Sequence, residues 1–303
     1  MPCPPGFDFE ATAAVLRRGP ADPLIWFDGR RWRRRLAVNG AAFLVEVSPT
    51  TAARGTAPMP PSVHTGAGLA ARVLAGRVPQ PLLERVVARI FGLDDPARTL
   101  SRRLPGLIRH ATLRLPGAAL PGYPTLFEAL VHTTLGQQIS AAAANVHRAA
   151  FATRFGRPFT YRGGTYWTFP APGDVAGERL ASLRRPGLSN AKALAVRSIA
   201  RALERGTVSE TALEAMPPEA AIEALSGLPG IGRWTAEWVL LRALRRFDVV
   251  PAGDLAVRKA ITWIAGRAGL LSEREVRAFA APWTPYAGLV AFRLMLAHRQ
   301  AVA

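Results

Sequence analysis

The stretch QPLLERVVARIF sets apolar residues at Leu83, Val86, Val87 and Ile90, the three-and-four spacing of a helix with one buried face. Upstream the pattern changes. In LIWFDGRRWRRRLAVNGAAFLVEV, runs rich in Val, Leu, Phe and Trp are divided by Asp28-Gly29 and Asn39-Gly40, dipeptides that suit type I′ turns, so a small antiparallel sheet is predicted. Trp32, Arg33, Arg34 and Arg35 interrupt the apolar pattern and read either as a solvated sheet face or as a strand turned toward DNA. A Pro/Gly/Thr-rich stretch around 56–68 reads as a loop, and LRLPGAALPGYP, from Leu113 to Pro124, reads as a seam between domains.

Beyond the seam the period is helical throughout. TLFEALVHTTLGQQISAAAANVHRAAFATRFG follows it, with Gly136 expected to break a helix or to let two helices meet closely. SNAKALAVRSIARALERG opens on Ser189 as an N-cap and closes at Gly206. SETALEAM, PPEAAIEALSG and YAGLVAFRLMLAHR add further helices. The expected fold is α+β: a mixed N-terminal domain with a small antiparallel sheet over 1–118, then an all-α domain over 119–303.

Composition narrows the partner. Among 303 residues, 39 Lys+Arg stand against 21 Asp+Glu, a net charge of +18 that favours a polyanion. Nucleic acid leads, and an anionic membrane is the distant alternative, because the basic residues occur throughout rather than along one amphipathic helix. Cys3 is the only cysteine, which excludes a disulfide framework, a four-cysteine zinc site and an all-cysteine iron–sulfur cluster. The five histidines show no metal-ligand spacing, so no catalytic metal and no other cofactor is expected. The N-terminus lacks a basic start followed by an apolar segment, and no apolar run is long enough to span a bilayer. A soluble cytosolic protein, working as a monomer, is the expectation.

LSGLPGIGRWTAEWVLL joins two helical patterns through Pro229, Gly230 and Gly232, glycines that permit positive φ and close backbone approach. The unpaired amides of a helix that begins near Arg233 suit a phosphate, although the same pattern also serves an ordinary helix–helix turn. LPGIGRWTAEW followed by DVVPAGDLAVRKA resembles the helix-hairpin-helix DNA glycosylase superfamily, specifically its alkyladenine branch, the bacterial 3-methyladenine DNA glycosylase II proteins. LGQQIS (Leu135–Ser140) and LRRPGLSNAKALAV (Leu183–Val196) resemble further blocks of that family in the same order, so the likeness spans roughly Leu113 to Met295. It implies that the second domain is a helix-hairpin-helix glycosylase domain acting on double-stranded DNA with alkylated bases.

The resemblance also assigns residues. It selects Asp254, just before the apolar residue that opens the next helix, as the catalytic acid and leaves Asp248 as an exposed or capping residue. By chemistry alone Asp254 could equally be a helix N-cap, and the two roles are compatible. Trp234 and Trp238, one turn apart, are candidates for an aromatic wall that receives a flipped, electron-poor base, with Tyr286 added from family position; each could instead be core. Gln137 and Gln138 would enter the minor groove, or be buried against backbone. Leu228, Gly230, Gly232 and Arg233 would meet the phosphates. Relatives that also cut the strand carry a lysine where Trp234 stands, which implies a hydrolase without lyase activity. A non-catalytic helix-hairpin-helix DNA-binding protein and a glycosylase for oxidised or deaminated bases are the competing readings.

Overall fold

Asn39 and Gly40 take φ of +49° and +77°, the left-handed pair that a type I′ turn requires, and fold β2 (Trp32–Val38) onto β3 (Ala41–Pro49). The computed structural model describes residues 1–4, 7–17, 19, 22–50, 68–96, 104–113 and 119–302. With β1 (Ile25–Phe27) and β4 (Leu69–Gly76), these strands form one antiparallel sheet in the order β1-β2-β3-β4. The first turn departs from expectation: only Gly29, at +92°, is left-handed, which is the form of a II′ turn, and Asp28 accepts the amides of Arg30 and Arg31. The expected loop at 56–68 lies outside the described residues up to 67.

The helix Gln80–Phe91 buries Leu83, Val86, Val87 and Ile90, as its spacing predicts. Phe91, at its end, meets Trp32 of β2 edge-on at 5.1 Å. The arginine run of β2 fits neither sequence reading. Trp32 is fully buried, Arg34 is buried against Glu128 with both carboxylate oxygens at 2.6 Å, and Arg33 pairs with Glu46 at 2.7 Å. Arg35 lies over the ring of Phe159. A second hairpin, β5 (Arg157–Tyr161) and β6 (Gly164–Thr168), covers this strand, so the arginines face protein.

That hairpin corrects the expectation of an all-α second domain. Its signal is present in FTYRGGTYW, where β-branched and aromatic residues flank Arg162 and Gly163, at φ +48° and +78°. Around it the helices follow prediction: Leu126–Leu135 ends at Gly136, Ala141–Phe155 starts on Ser140, and Asn190–Glu204 starts on Ser189. Of the two roles expected of Gly136, the helix break is the one seen: it C-caps Leu126–Leu135, and the near neighbour of a Cβ there would be the tip of the Arg148 side chain.

Two cores result. The larger joins the N-terminal sheet to the helices between Leu126 and Ala243, and the smaller is built from Leu255–Ile264, Glu273–Ala280 and Ala287–Ala301 with the helix Gly106–Leu113. A buried pair, Arg293 to Asp95 at 2.6 Å, fixes the last helix to the end of the N-terminal region. Residues 114–118 of the expected seam lie outside the described ones. The boundary we propose at 118/119 is crossed by both cores. Among the described residues no helix is long and apolar enough to cross a membrane.

Candidate active site

The helix Pro218–Ser226 stops at Gly227, and the turn through Pro229 delivers the chain to a second helix, Arg233–Ala243. Gly230 requires its glycine: φ is +78°, and a Cβ would approach Ala195 to 2.7 Å. Gly232 differs from expectation. It is extended, at φ −88° and ψ 171°, and a Cβ there would meet nothing within 4 Å. It N-caps the second helix with no side-chain acceptor, which leaves the first-turn amides facing outward. Leu228 is half-buried against the larger core and sets the turn on its base.

The second helix carries Trp234 and Trp238 toward Asp254, which caps the helix Leu255–Ile264. Asp254 Oδ1 accepts from the amides of Ala256 and Val257 at 2.9 and 3.2 Å. Asp254 Oδ2 accepts from both indole N–H groups, Trp234 at 3.0 Å and Trp238 at 3.2 Å. The capping and chemical readings of Asp254 are therefore compatible in one geometry. Each ring offers the acid its edge, Trp234 is 38% exposed and Trp238 is half-buried. Tyr286 is half-buried beside Phe247, 6.5 Å between centroids, and packs on the smaller core as Trp238 does. It is not among the donors to Asp254.

The other candidate residues divide between the alternatives offered by the sequence and placements it does not suggest. Gln137 takes the backbone-bonded alternative, donating to Gly230 O at 3.1 Å and Thr235 Oγ1 at 2.9 Å, and so braces the hairpin. Gln138 is exposed and left-handed at φ +56°, a costly conformation for a residue with a side chain. Arg233 is held by both oxygens of Glu219, at 2.6 and 2.8 Å, and by Glu237 at 3.0 Å. Its guanidinium is neutralised, which leaves its backbone amide as the group free to meet an anion. Asp248 is neither capping nor free: it takes Arg246 in a bidentate pair, while Arg246 also donates to the Leu213 and Met216 carbonyls.

Two supports escape sequence reading because they join distant segments. Lys192 Nζ donates to the carbonyls of Leu135 and Gln137, each at 2.9 Å, so the LGQQIS and SNAKAL blocks form one unit. Burial and the nearby Arg148 push the Lys192 ammonium below its ordinary value. Glu237, 1% exposed between the two tryptophans in sequence, accepts from Arg277 at 2.6 Å as well as from Arg233. Burial pushes its carboxyl up against the pull of both guanidinium groups. This links the hairpin helix to Glu273–Ala280 beside the loop that presents Asp254.

The family model for HhH-GPD superfamily base excision DNA repair protein matches residues 131–285. The DNA-3-methyladenine glycosylase of Bacillus subtilis is 31% identical over 212 residues, 67% of this chain and 68% of its own length. The DNA-3-methyladenine glycosylase 2 of Escherichia coli is 30% identical over 60% of this chain and 62% of its own. Among solved structures, the 3-methyladenine DNA-glycosylase from Archaeoglobus fulgidus superposes with a TM-score of 0.76 at 25% identity, covering 99% of this chain and 98% of that one.

Proposed function

We propose that this chain, which belongs to the HhH-GPD superfamily of base excision DNA repair proteins, is a monofunctional DNA glycosylase that hydrolyses alkylated bases from duplex DNA. Bases of the 3-methyladenine and 7-methylguanine type are the substrates. One observation carries this reading: two indole N–H groups of one helix donate to the same oxygen of a carboxylate on another, beside a helix start with no side-chain cap. The names of the Bacillus and Escherichia relatives support it.

The bond between sugar and base is inaccessible inside stacked DNA, so the nucleotide must be turned out of the duplex. The hairpin amides after Gly232 hold a backbone phosphate with the helix dipole behind them, and the left-handed Gln138 occupies the gap that the nucleotide leaves. Stacking lost in the duplex is replaced by the faces of Trp234 and Trp238, with Tyr286 closing the pocket. An alkylated purine carries positive charge, which adds a cation–π contribution of about 0.5–2 kcal/mol on an indole face.

Such a base leaves readily. When the C1′–N bond breaks, its electron pair departs with the base, which becomes neutral, and positive charge develops on the sugar. Asp254 stabilises that charge. Its lone-pair directions are addressed by four N–H donors, so its main role is electrostatic while both indoles remain bonded, and the water that adds to C1′ sheds its proton afterwards. Strand cleavage would need an amine nucleophile in the cleft. Trp234 provides none, Lys192 is engaged with two carbonyls, and Lys259 is exposed on the helix that Asp254 opens. We infer a monomer acting on chromosomal DNA in the cytosol.

The test is to incubate the protein with duplex DNA treated with a methylating agent. Release of free 3-methyladenine or 7-methylguanine, with strands that break only after alkali, is expected. DNA bound without base release would favour a non-catalytic binder, and strand breaks without alkali would contradict the monofunctional assignment.

A further inference from the structure

Away from Asp254, a groove of about 770 Å³ runs between β2, the β2–β3 turn, the start of the helix Leu126–Leu135 and the β5–β6 hairpin. We propose that this groove docks an extended acidic segment of a partner protein, which adds as a strand to the open edge of β2. The inference is independent of the base-removal reading.

The edge is the first observation. β1 pairs only with Trp32, Arg33 and Arg34, whereas β3 pairs along all of β2, so, among the described residues, 35–38 have a ladder partner on one side only, although the β5–β6 hairpin packs against the strand. In an antiparallel ladder alternate residues turn their N–H and C=O away from a given neighbour. Counting from the Val38–Ala41 pair that closes the two-residue turn, Arg35 and Ala37 are the residues turned outward, and Ala37 is exposed. An unpaired strand edge beside an apolar trough is a template for another strand. Ala41, Pro158, Phe159, Ala171 and Pro172, none of them buried, supply apolar walls.

Charge selects the kind of strand. Arg34 is matched by Glu128, Arg157 by Asp174, and Glu210 by Arg89. Arg35 has no carboxylate partner among the described residues. Its guanidinium rests 4.1 Å from the Phe159 centroid, and its Nη1 is shut away from solvent without an acceptor. Desolvation lowers its pKa below the ordinary guanidinium value, the sign of a buried cation without an anion. A carboxylate on the docked segment would complete the pair. Nucleic acid fits less well, because phosphates accept hydrogen bonds but cannot donate to the Ala37 carbonyl, whereas a peptide does both.

The test is fluorescence anisotropy of the full chain with a fluorescein-labelled hexapeptide of alternating valine and glutamate. Saturable binding is expected. It should weaken at least about tenfold, the scale of one lost ion-paired or main-chain contact, when lysine replaces glutamate in the peptide, in Arg35→Gln, and in Ala37→Pro, which removes the outward N–H. Base release by the two variants checks that they fold, and Arg35→Gln stands alone if Ala37→Pro does not. No saturable binding up to about 1 mM, or equal affinity for wild type and Arg35→Gln, would overturn the proposal. So would an oligonucleotide that displaces the peptide with the same dependence on Arg35, or a wild-type dimer that Arg35→Gln dissociates.

Discussion

Trp234 holds Asp254 by a 3.0 Å indole hydrogen bond that crosses from the hairpin helix, which contributes to both cores, to the helix Leu255–Ile264 of the smaller one. The proposed aromatic wall and the proposed anion are thus one mechanical unit. A shift of the hairpin helix against the helix Leu255–Ile264 would have to break both indole bonds.

Replacing either tryptophan by phenylalanine keeps a ring and removes the N–H. Trp234→Phe and Trp238→Phe should each slow single-turnover release of 7-methylguanine by roughly tenfold or more, since a hydrogen bond to a charged group is worth about 1.5–3 kcal/mol. Trp234→Ala should cost more for a cationic base than for an uncharged lesion, by up to the cation–π contribution of about 2 kcal/mol. Equal losses on both substrates would place the ring outside the base pocket.

The two hairpin glycines should separate folding from binding. Gly230→Ala forces a side chain into a left-handed conformation against Ala195, so urea denaturation should show a loss of more than about 1 kcal/mol. Gly232→Ala meets no protein atom within 4 Å and should change stability by no more than about 0.5 kcal/mol. It should nevertheless weaken duplex binding, because its methyl group lies where a phosphate would approach the amides. Unchanged DNA affinity in Gly232→Ala would count against a phosphate at that helix start.

Adjacent glutamines should likewise diverge. Gln137→Ala removes the brace to Gly230 and Thr235 and should lower stability by about 1 kcal/mol. Gln138→Gly relieves the left-handed backbone and should leave the fold as stable or more so, yet slow base release from duplex DNA. Single-stranded substrate, which has no gap to fill, should be released at the wild-type rate by the Gln138 variant.

Acid should weaken the sheet through Glu46. Burial raises the Glu46 carboxyl, but the bonds and charges of Arg33 and Arg72 outweigh it and hold the group below its ordinary value. A lowered carboxyl contributes stability that is full above the ordinary carboxylate range and is lost as pH falls through its folded value. Urea midpoints measured between neutral pH and the acid side of that range should fall less steeply for Glu46→Gln than for wild type.

How much of this was legible follows from distance along the chain. Gly230, Ser189 and Asn39-Gly40 announce local geometry, because cap and turn chemistry is decided within a few residues. The helix Gln80–Phe91 declares its buried face by spacing alone. The arginine run of β2 misleads because its partners, Glu46 aside, lie far away: Glu128 is 94 residues on and Tyr166 is 133 from Arg33. Lys192 reaches carbonyls 55 and 57 residues back, and carbonyls leave no mark in a sequence. Arg233, a basic residue at a helix start, suggests phosphate binding until Glu219 and Glu237 are seen to neutralise it. Asp254 could be singled out by resemblance, but the two indole donors on its Oδ2 emerge only when both helices are placed together.

Single-turnover release of methylated purines by Asp254→Asn, compared with wild type on the same duplex, tests the central claim most directly. The amide keeps the cap's shape but removes the negative charge, so duplex affinity should stay within about threefold while the rate falls by about 100-fold or more, in the range for losing a preorganised electrostatic group. A variant that releases base at the wild-type rate would contradict the assignment of Asp254 as the anion that steadies the departing sugar's charge.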